Sequence, residues 1–464
     1  MRGALAIALV VTAAACGGDD DGPGGGGRDG GDRGDGSAPG TPDAGPPIDC
    51  SEVVCHYVRA DGDPGGDGAS WSGAWTELPA ELERGHVYYL AAGDYPGHRF
   101  DDPADGDAVI TVVRATAGDH GDGDGWDDGF DGRAVLGPVV IARPGYRLDG
   151  RGRGIAVRAP FEGAALVVSA NDQVLRSLDI DGAFAADGDG HHTGGGCSAL
   201  EVSGAADVTV ADCEIHDAAD DGAVLYDLTG LRFEGNLVHA LHACGNENGC
   251  GNCFNGHSDG LEMFNVETSE LRGNLVYDVR STATVFFGNW GTSDQYNEDI
   301  TIENNLFYAP EVGLVVYIHY ARNIRFLHNV VWGVQQGGYG GLAIGPEVTD
   351  LDMYNNIILS VNYSHEGAAF DPAEHRGDHN LFGVDLGQWP SQAGDVIAGN
   401  PGFTGIPGVN GAPVVDPTPD MFTPGATSKA ADEGVASVDG LTLPSRDFFG
   451  AQRDEQPDLG AIER

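Results

Sequence analysis

Six segments of the chain line up on one column: Cys213 in VTVADCEIH, Asn236 in LRFEGNLVH, Asn274 in SELRGNLVY, Asn305 in ITIENNLFY, Asn329 in IRFLHNVVW and Asn356 in LDMYNNIIL. Leu178, in VLRSLDI, starts the series, and successive members stand 35, 23, 38, 31, 24 and 27 residues apart. A floor near 23 residues with insertions of variable length marks a solenoid whose coils share one cross-section and differ in their loops. The residues five and three places before each column are Val208/Val210, Leu231/Phe233, Ser269/Leu271, Ile300/Ile302, Ile324/Phe326 and Leu351/Met353. This is the alternation of a strand with its apolar face inward.

The outward positions test that register. Stacked coils place Arg232 over Glu270, Glu234 over Arg272, Arg272 over Glu303 and Arg325 over Asp352. Opposite charges meet on neighbouring strands, as cross-strand pairing favours, and a wrong register would scatter them. An Asn repeated at one corner of five coils resembles the asparagine ladder inside right-handed parallel β-helices. There a buried Asn has both its C=O and its NH2 satisfied by the stack. Residues 57–95, from YVRADGDP to LAAGDY, resemble the entry segment of bacterial pectate-lyase-like β-helix proteins, and QPDLGAIE (456–463) resembles their closing segment. The resemblance implies an all-β chain: a single-stranded right-handed parallel β-helix (a solenoid) with long corner loops over residues 50–464. Its coils are expected over about 135–400 and its closing segment over 401–464. Architecture does not fix activity, because one fold hosts many chemistries.

Ahead of that domain the chain reads as an export signal. Met1-Arg2, an apolar run from Ala4 to Ala15 and then Cys16 describe a signal peptide over residues 1–15, too short to span a bilayer. Cys16 after Ala13-Ala14-Ala15 resembles a bacterial lipobox, with Ala13 where Leu is usual, and the resemblance makes Cys16 the lipidated residue. Residues 16–49, nearly all Gly, Asp, Pro, Ser and Arg, cannot bury enough apolar surface to fold and are expected to be a disordered, solvated tether. No later stretch approaches 18 apolar residues, so lipid is the expected membrane anchor, on the bacterial outer membrane or cell surface.

The balance of 72 Asp+Glu against 24 Lys+Arg gives a net charge of −48. It argues against duplex nucleic acid, which needs clustered cations, and against docking on an anionic lipid face; a monomer is expected. In an oxidising compartment the cysteines at 50, 55, 197, 213, 244, 250 and 253 default to disulfides, with one thiol left over. Cys244, Cys250, Cys253 and His257 are zinc-type ligands at a spacing that matches no standard module, so a loop-stapling disulfide is expected there. Cys213 is expected to fill its ladder slot as a small apolar residue.

Insertions fall after the third strand of a coil, at 181–198, 240–258 and 332–340, and one more follows Gly288. The strands that come next, 199–204, 223–227, 260–265, 283–288, 313–319 and 341–345, are where the resemblance places active sites. Asp221 and Asp259 each open an Asp-Gly step fifteen residues before Asn236 and Asn274. On adjacent coils they lie about 4.8 Å apart, close enough to raise one pKa or to hold a cation, for which calcium is the expected ion. Asp-Gly is equally an ordinary turn signal. Glu201 and Glu262 face outward with Val224 on the coil between, about 9.6 Å apart and at the upper edge of the separation inverting glycosidases use. Tyr226, Phe264, Tyr317 and His319 share that face, Arg280 flanks it, and HSDGLE (257–262) resembles an H-x-DG segment of polysaccharide-processing β-helix proteins. The candidate catalytic groups are thus Asp221, Asp259, Glu262, Glu201, His257 and His319, with Tyr226, Phe264, Tyr317 and Arg280 as substrate contacts. The acidic stretch 119–132 fails the EF-hand ligand pattern.

Three functions compete on these residues. A lyase or epimerase acting on an acidic polysaccharide needs a base, yet the only Lys, Lys429, lies beyond the coils, leaving Arg280, His257 or His319. A glycoside hydrolase would use the Asp and Glu set. A non-catalytic surface module would bind glycan or a partner on the same face.

Overall fold

The computed structural model describes residues 46–464 apart from 122, 161–162, 187–191, 195–196, 243–257, 281, 290–294, 311–314, 334–340, 346, 364–374, 385–388, 390 and 409–410. The signal peptide, Cys16 and nearly all of the tether lie outside the described residues, as do Cys244, Cys250, Cys253 and His257.

Strand periodicity becomes a stack of three-strand coils. Among the described residues the stack forms a 21-stranded and a 12-stranded sheet, parallel throughout: a right-handed parallel β-helix. The larger sheet holds the first and second strands of each coil, because Asp259–Arg272 runs unbroken through the bend between them. Its first half pairs with Ala223–Thr229 and its second half with Arg232–Glu234. The smaller sheet holds the third strands. Stacking begins at Cys55–Val58, paired with Val87–Leu90, well before the part of the chain where the repeat is legible. Arg232 pairs with Glu270, Glu234 with Arg272, Arg272 with Glu303 and Arg325 with Asp352, in the register the outward charges imply.

The Asn column is a hydrogen-bonded ladder. Each Asn Oδ1 accepts the backbone N–H of the coil before it: Asn236 from Cys213 (2.9 Å), Asn274 from Asn236 (2.9 Å), Asn305 from Asn274 (3.0 Å), Asn329 from Asn305 (3.0 Å) and Asn356 from Asn329 (2.8 Å). Each Nδ2 donates to an inward strand carbonyl, such as Leu271 for Asn305 and Phe326 for Asn356. The ladder runs one coil beyond the sequence alignment to Asn380, and Asp395 ends it by accepting the Asn380 N–H. The residue before each rung is left-handed, with φ of 57° at Asp212, 66° at Gly235, 62° at Gly273, 55° at Asn304, 52° at His328 and 59° at Asn355. Only Gly, Asn, Asp and His enter that region readily, which is why those residues recur there. Cys213 is a buried free thiol whose pKa burial pushes up to about 12, so it is an inert filler of its slot. Cys50 bonds Cys55, and Cys197 is disulfide-bonded to a partner outside the described residues.

The third strands depart from simple alternation. Leu275, Leu306, Val330, Ile357 and Leu381 point away from the core yet are buried, because the closing segment folds back over them with Leu459, Ala461 and Ile462. Arg453 latches it. Only 6% exposed, Arg453 donates to Asn304 Oδ1 (2.8 Å), to the carbonyls of Gly460 and Ala461 (3.0 Å each) and to Glu463 (3.1 Å).

Candidate functional site

Parallel stacking turns one outward position per coil into a column. Along the first strands it reads Glu201, Val224, Glu262, Phe286, Tyr317, Ala343. Two residues further along each strand, a second column reads Ser203, Tyr226, Phe264, Gly288. The aromatic members form a stripe across successive coils: Phe264 to Phe286 at 6.3 Å, Phe286 to Tyr317 at 5.3 Å and Tyr317 to His319 at 5.3 Å between ring centroids. Glycine makes room for it. A Cβ at Gly288 would strike the rings of Phe264 and Phe286, and one at Gly345 would strike His319 Cδ2.

His319 is held on every side. Tyr320 packs on it at 4.2 Å, Nε2 lies 2.6 Å from Glu347 Oε2 and Nδ1 lies 3.3 Å from the Tyr317 hydroxyl. A carboxylate accepts, so Nε2 carries the proton it donates to Glu347; with neutral imidazole, Nδ1 then accepts from Tyr317. Glu347, His319 and Tyr317 therefore form a hydrogen-bonded chain that ends on an oxygen of the outer face, in the order of a carboxylate–imidazole–hydroxyl triad. Sequence reasoning places His319 here and reads Tyr317 as a substrate contact, but it does not include Glu347.

Glu201 and Glu262 stand in one column with Val224 between them, as expected. Burial, and secondarily the Asp221 carboxylate, raises the Glu201 pKa. A carboxyl that keeps its proton longer is suited to act as an acid.

Asp221 and Asp259, the expected catalytic and calcium pair, stand at the corner before the first strands. They occupy adjacent coils but are 2% and 1% exposed. Asp221 Oδ1 accepts the Asp259 N–H and Asp259 Oδ1 accepts the Ala283 N–H, each at 2.8 Å. Through Oδ1 they form a second, shorter ladder at the corner, as the turn reading of Asp-Gly expects. Tyr226 and Phe264 lie on the second column, Arg280 pairs with Asp278 (3.1 Å), and His257 lies outside the described residues.

A polar cluster that sequence reasoning did not single out crosses the outer face of the third strands. Asp181, His216 and His239 each stand three places after a rung, and Asp179 and Glu214 one place after. The ligand atoms of Asp181, His216 and Asp217 lie within 4.8 Å of one another. A metal ion nevertheless does not fit. His216 Nε2 lies 3.1 Å from Asp179 Oδ1 and Nδ1 lies 2.8 Å from Asp217 Oδ2, so both ring nitrogens donate and the ring is an imidazolium. Burial opposes that charge, but hydrogen bonds to Asp179 and Asp217 outweigh it and push the pKa up to about 10. Arg133 and Arg158 occupy Asp179 and Asp181. The cluster is a charge-balanced strut.

A cleft of about 740 Å³ separates the second strands from residues 442–450. Among its lining charges Arg176 pairs with Asp212 (3.4 Å) and Arg272 with Glu303 (2.6 Å).

Comparison with known proteins bears on the architecture. No curated protein matches the chain. Among similar solved structures, a pectate lyase, Pel9A, shares 15% identity at a TM-score of 0.46, over 90% of this chain and 100% of that one. A rhamnogalacturonan lyase shares 12% at 0.41, over 70% and 87%, and XylC, solved in complex with xylose, shares 9% at 0.43, over 88% and 98%. At such identities the chemistry rests on this chain's own residues. Residues 198–358, the coils that carry the first-strand face from Glu201 to Ala343, match the family model for the right-handed β-helix region.

Proposed function

We propose that this chain is a surface-anchored lipoprotein, lipidated at Cys16, that binds and processes polysaccharide along the outer face of its first strands. One observation carries the reading: Glu262, Phe286 and Tyr317 follow one another in a single column, with Tyr317 backed by His319 and Glu347. The aromatic stripe supplies planes on which sugar rings stack. The Tyr317–His319–Glu347 relay supplies a base without lysine, and Glu201, with its raised pKa, supplies an acid. In the elimination form of the reaction, Tyr317 takes the proton α to the sugar carboxylate or an equivalent activated carbon. In the hydrolytic form, Glu201 protonates the leaving oxygen while Glu262 orients water.

Incubation with plant, algal and bacterial polysaccharides tests this, followed by unsaturated-product absorbance and by reducing ends. Either product, lost in Tyr317→Phe or Glu262→Gln, supports processing. Glycan binding without product reduces the face to a binding module, and neither binding nor product sinks the proposal. Globomycin-sensitive processing and palmitate labelling that disappears in Cys16→Ala test the anchor.

A further inference from the structure

We infer that the glycan this face accepts carries no carboxylates: it is a neutral or amino-sugar polymer, not a polyuronate. The inference rests on the reading of the first-strand face as a glycan site, adds its charge class and, since a neutral sugar lacks the carboxylate that acidifies a proton for elimination, selects the hydrolytic form of the reaction.

A protein that selects a polyanion presents a cation to each carboxylate it holds, usually Arg or Lys, sometimes a bridging metal ion. The first-strand columns present no Arg or Lys. From Glu201 to Ala343, and from Ser203 to Gly288, they offer carboxylates, rings and small residues, with no Lys or Arg. The imidazole on this face, His319, is engaged by Glu347 and Tyr317. The sequence of the connections that enter or leave these strands says the same. Segments 182–199, 242–258, 289–296, 309–315, 333–341 and 364–374 contain eight acidic residues and no Lys or Arg. Arg280, in the connection 278–282, pairs with Asp278.

Asp221 and Asp259, the pair expected to hold calcium, are buried with Oδ1 on backbone N–H groups. On a chain of net charge −48, an anionic polymer would meet repulsion along these columns. A neutral sugar loses nothing, since carboxylates accept hydrogen bonds from hydroxyls while its apolar face stacks on Phe286. An amino sugar gains an ion pair with Glu262.

Affinity electrophoresis of the full-length protein in detergent tests the inference, with xylan and β-glucan as neutral polymers, chitosan as the cationic one, and polygalacturonate and alginate as anionic ones. Each is run at low and high salt, with EDTA or with calcium. Expected is retardation by a neutral or amino-sugar polymer that persists at high salt and weakens about tenfold or more in Phe286→Ala, with no retardation by either polyuronate. Polyuronate binding, in EDTA or only with calcium, overturns the charge class while leaving the face a glycan site if Phe286→Ala abolishes it. Chitosan binding that vanishes with salt and ignores Phe286→Ala is bulk charge attraction and counts against the inference. No binding by any polymer overturns the glycan reading, and the inference with it.

Discussion

Nε2 of His319 lies 2.6 Å from Oε2 of Glu347, although 28 residues separate them. Glu347 sits just past the strand Leu342–Ile344, which stacks on the strand Val316–Ile318 that precedes His319. One coil thus positions the imidazole of its neighbour, and that imidazole positions the Tyr317 hydroxyl. Glu347→Gln keeps the size of the side chain but removes the charge that fixes the tautomer. Turnover is expected to fall by roughly 10²-fold, with glycan binding unchanged. Tyr317→Phe should fall as far or further. Gly345→Ala, which thrusts a methyl group at the imidazole, should reproduce the loss without touching a polar group. Initial rates beside binding isotherms check all three, and a parallel loss of binding would contradict the relay.

The ladder makes a sharp stability prediction. Asn305 Oδ1 accepts from both the N–H and the Nδ2 of Asn274, and its own Nδ2 donates to the carbonyls of Leu271 and Glu303. Asn305→Leu orphans these buried groups together, at roughly 3–5 kcal/mol by the usual cost of an unmade buried hydrogen bond. Cys213→Asn should do the reverse. The Leu178 N–H and the Leu175 carbonyl already face Sγ at 3.5 and 3.7 Å, where an amide would bond both, for a gain of about 1 kcal/mol. Urea midpoints measure the two changes, and equal effects would refute the ladder's role.

The His216 strut predicts a pH profile. Folded His216 holds its proton to about pH 10, whereas the unfolded imidazole releases it near 6.5. Its stabilisation is therefore complete below about pH 6.5 and fades between 6.5 and 10. Glu214 works from the other side. Burial opposes its charge, but the hydrogen bond from His239 dominates and brings the pKa down to about 2 from 4.5, so its contribution is complete above pH 4.5 and fades below. The thermal midpoint should plateau between these limits and fall by several degrees towards pH 10. In His216→Asn the alkaline fall should flatten, and an unchanged slope would contradict the assignment.

Arg453 predicts how the closing segment is held. Arg453→Met leaves Glu463 and the Gly460 and Ala461 carbonyls without their donor, a loss of about 3–5 kcal/mol for a broken buried pair. Limited proteolysis should then cut the segment 401–464 while the coils persist. Cleavage no faster than in the parent chain would show that apolar packing alone secures it.

The coils were legible because burial writes a period into the chain: inward Ile, Val, Leu and Phe, outward charges of alternating sign, and one Asn per turn. Legibility fades where a rung loses its neighbours. Asn380 follows His375, Arg376 and Gly377, a second strand with no apolar alternation, and the coils before residue 135 carry no Asn at the corner. At the site, His319 and the two Glu of the column were readable from register. Asp221 and Asp259 were ambiguous because a turn aspartate and a catalytic aspartate look alike in sequence, and burial is not written there. Glu347 was hidden because its partner is reached through a corner of variable length, which no period predicts. The His216 strut was recoverable, since Asp181, His216 and His239 share one offset from the column.

Each Asn completes the hydrogen bonding of the coil before its own, so a coil is a modular unit that brings the cap for its predecessor and exposes a demand for the next. A duplicated coil inherits both halves of that contract and can be inserted without redesigning its neighbours, provided the chain still ends on a residue such as Asp395 that accepts without asking for more. Lengthening the stack this way lengthens the outer face by one rise per copy. The length of outer face such a chain presents is therefore open to selection by simple tandem duplication, independently of the chemistry at any one coil.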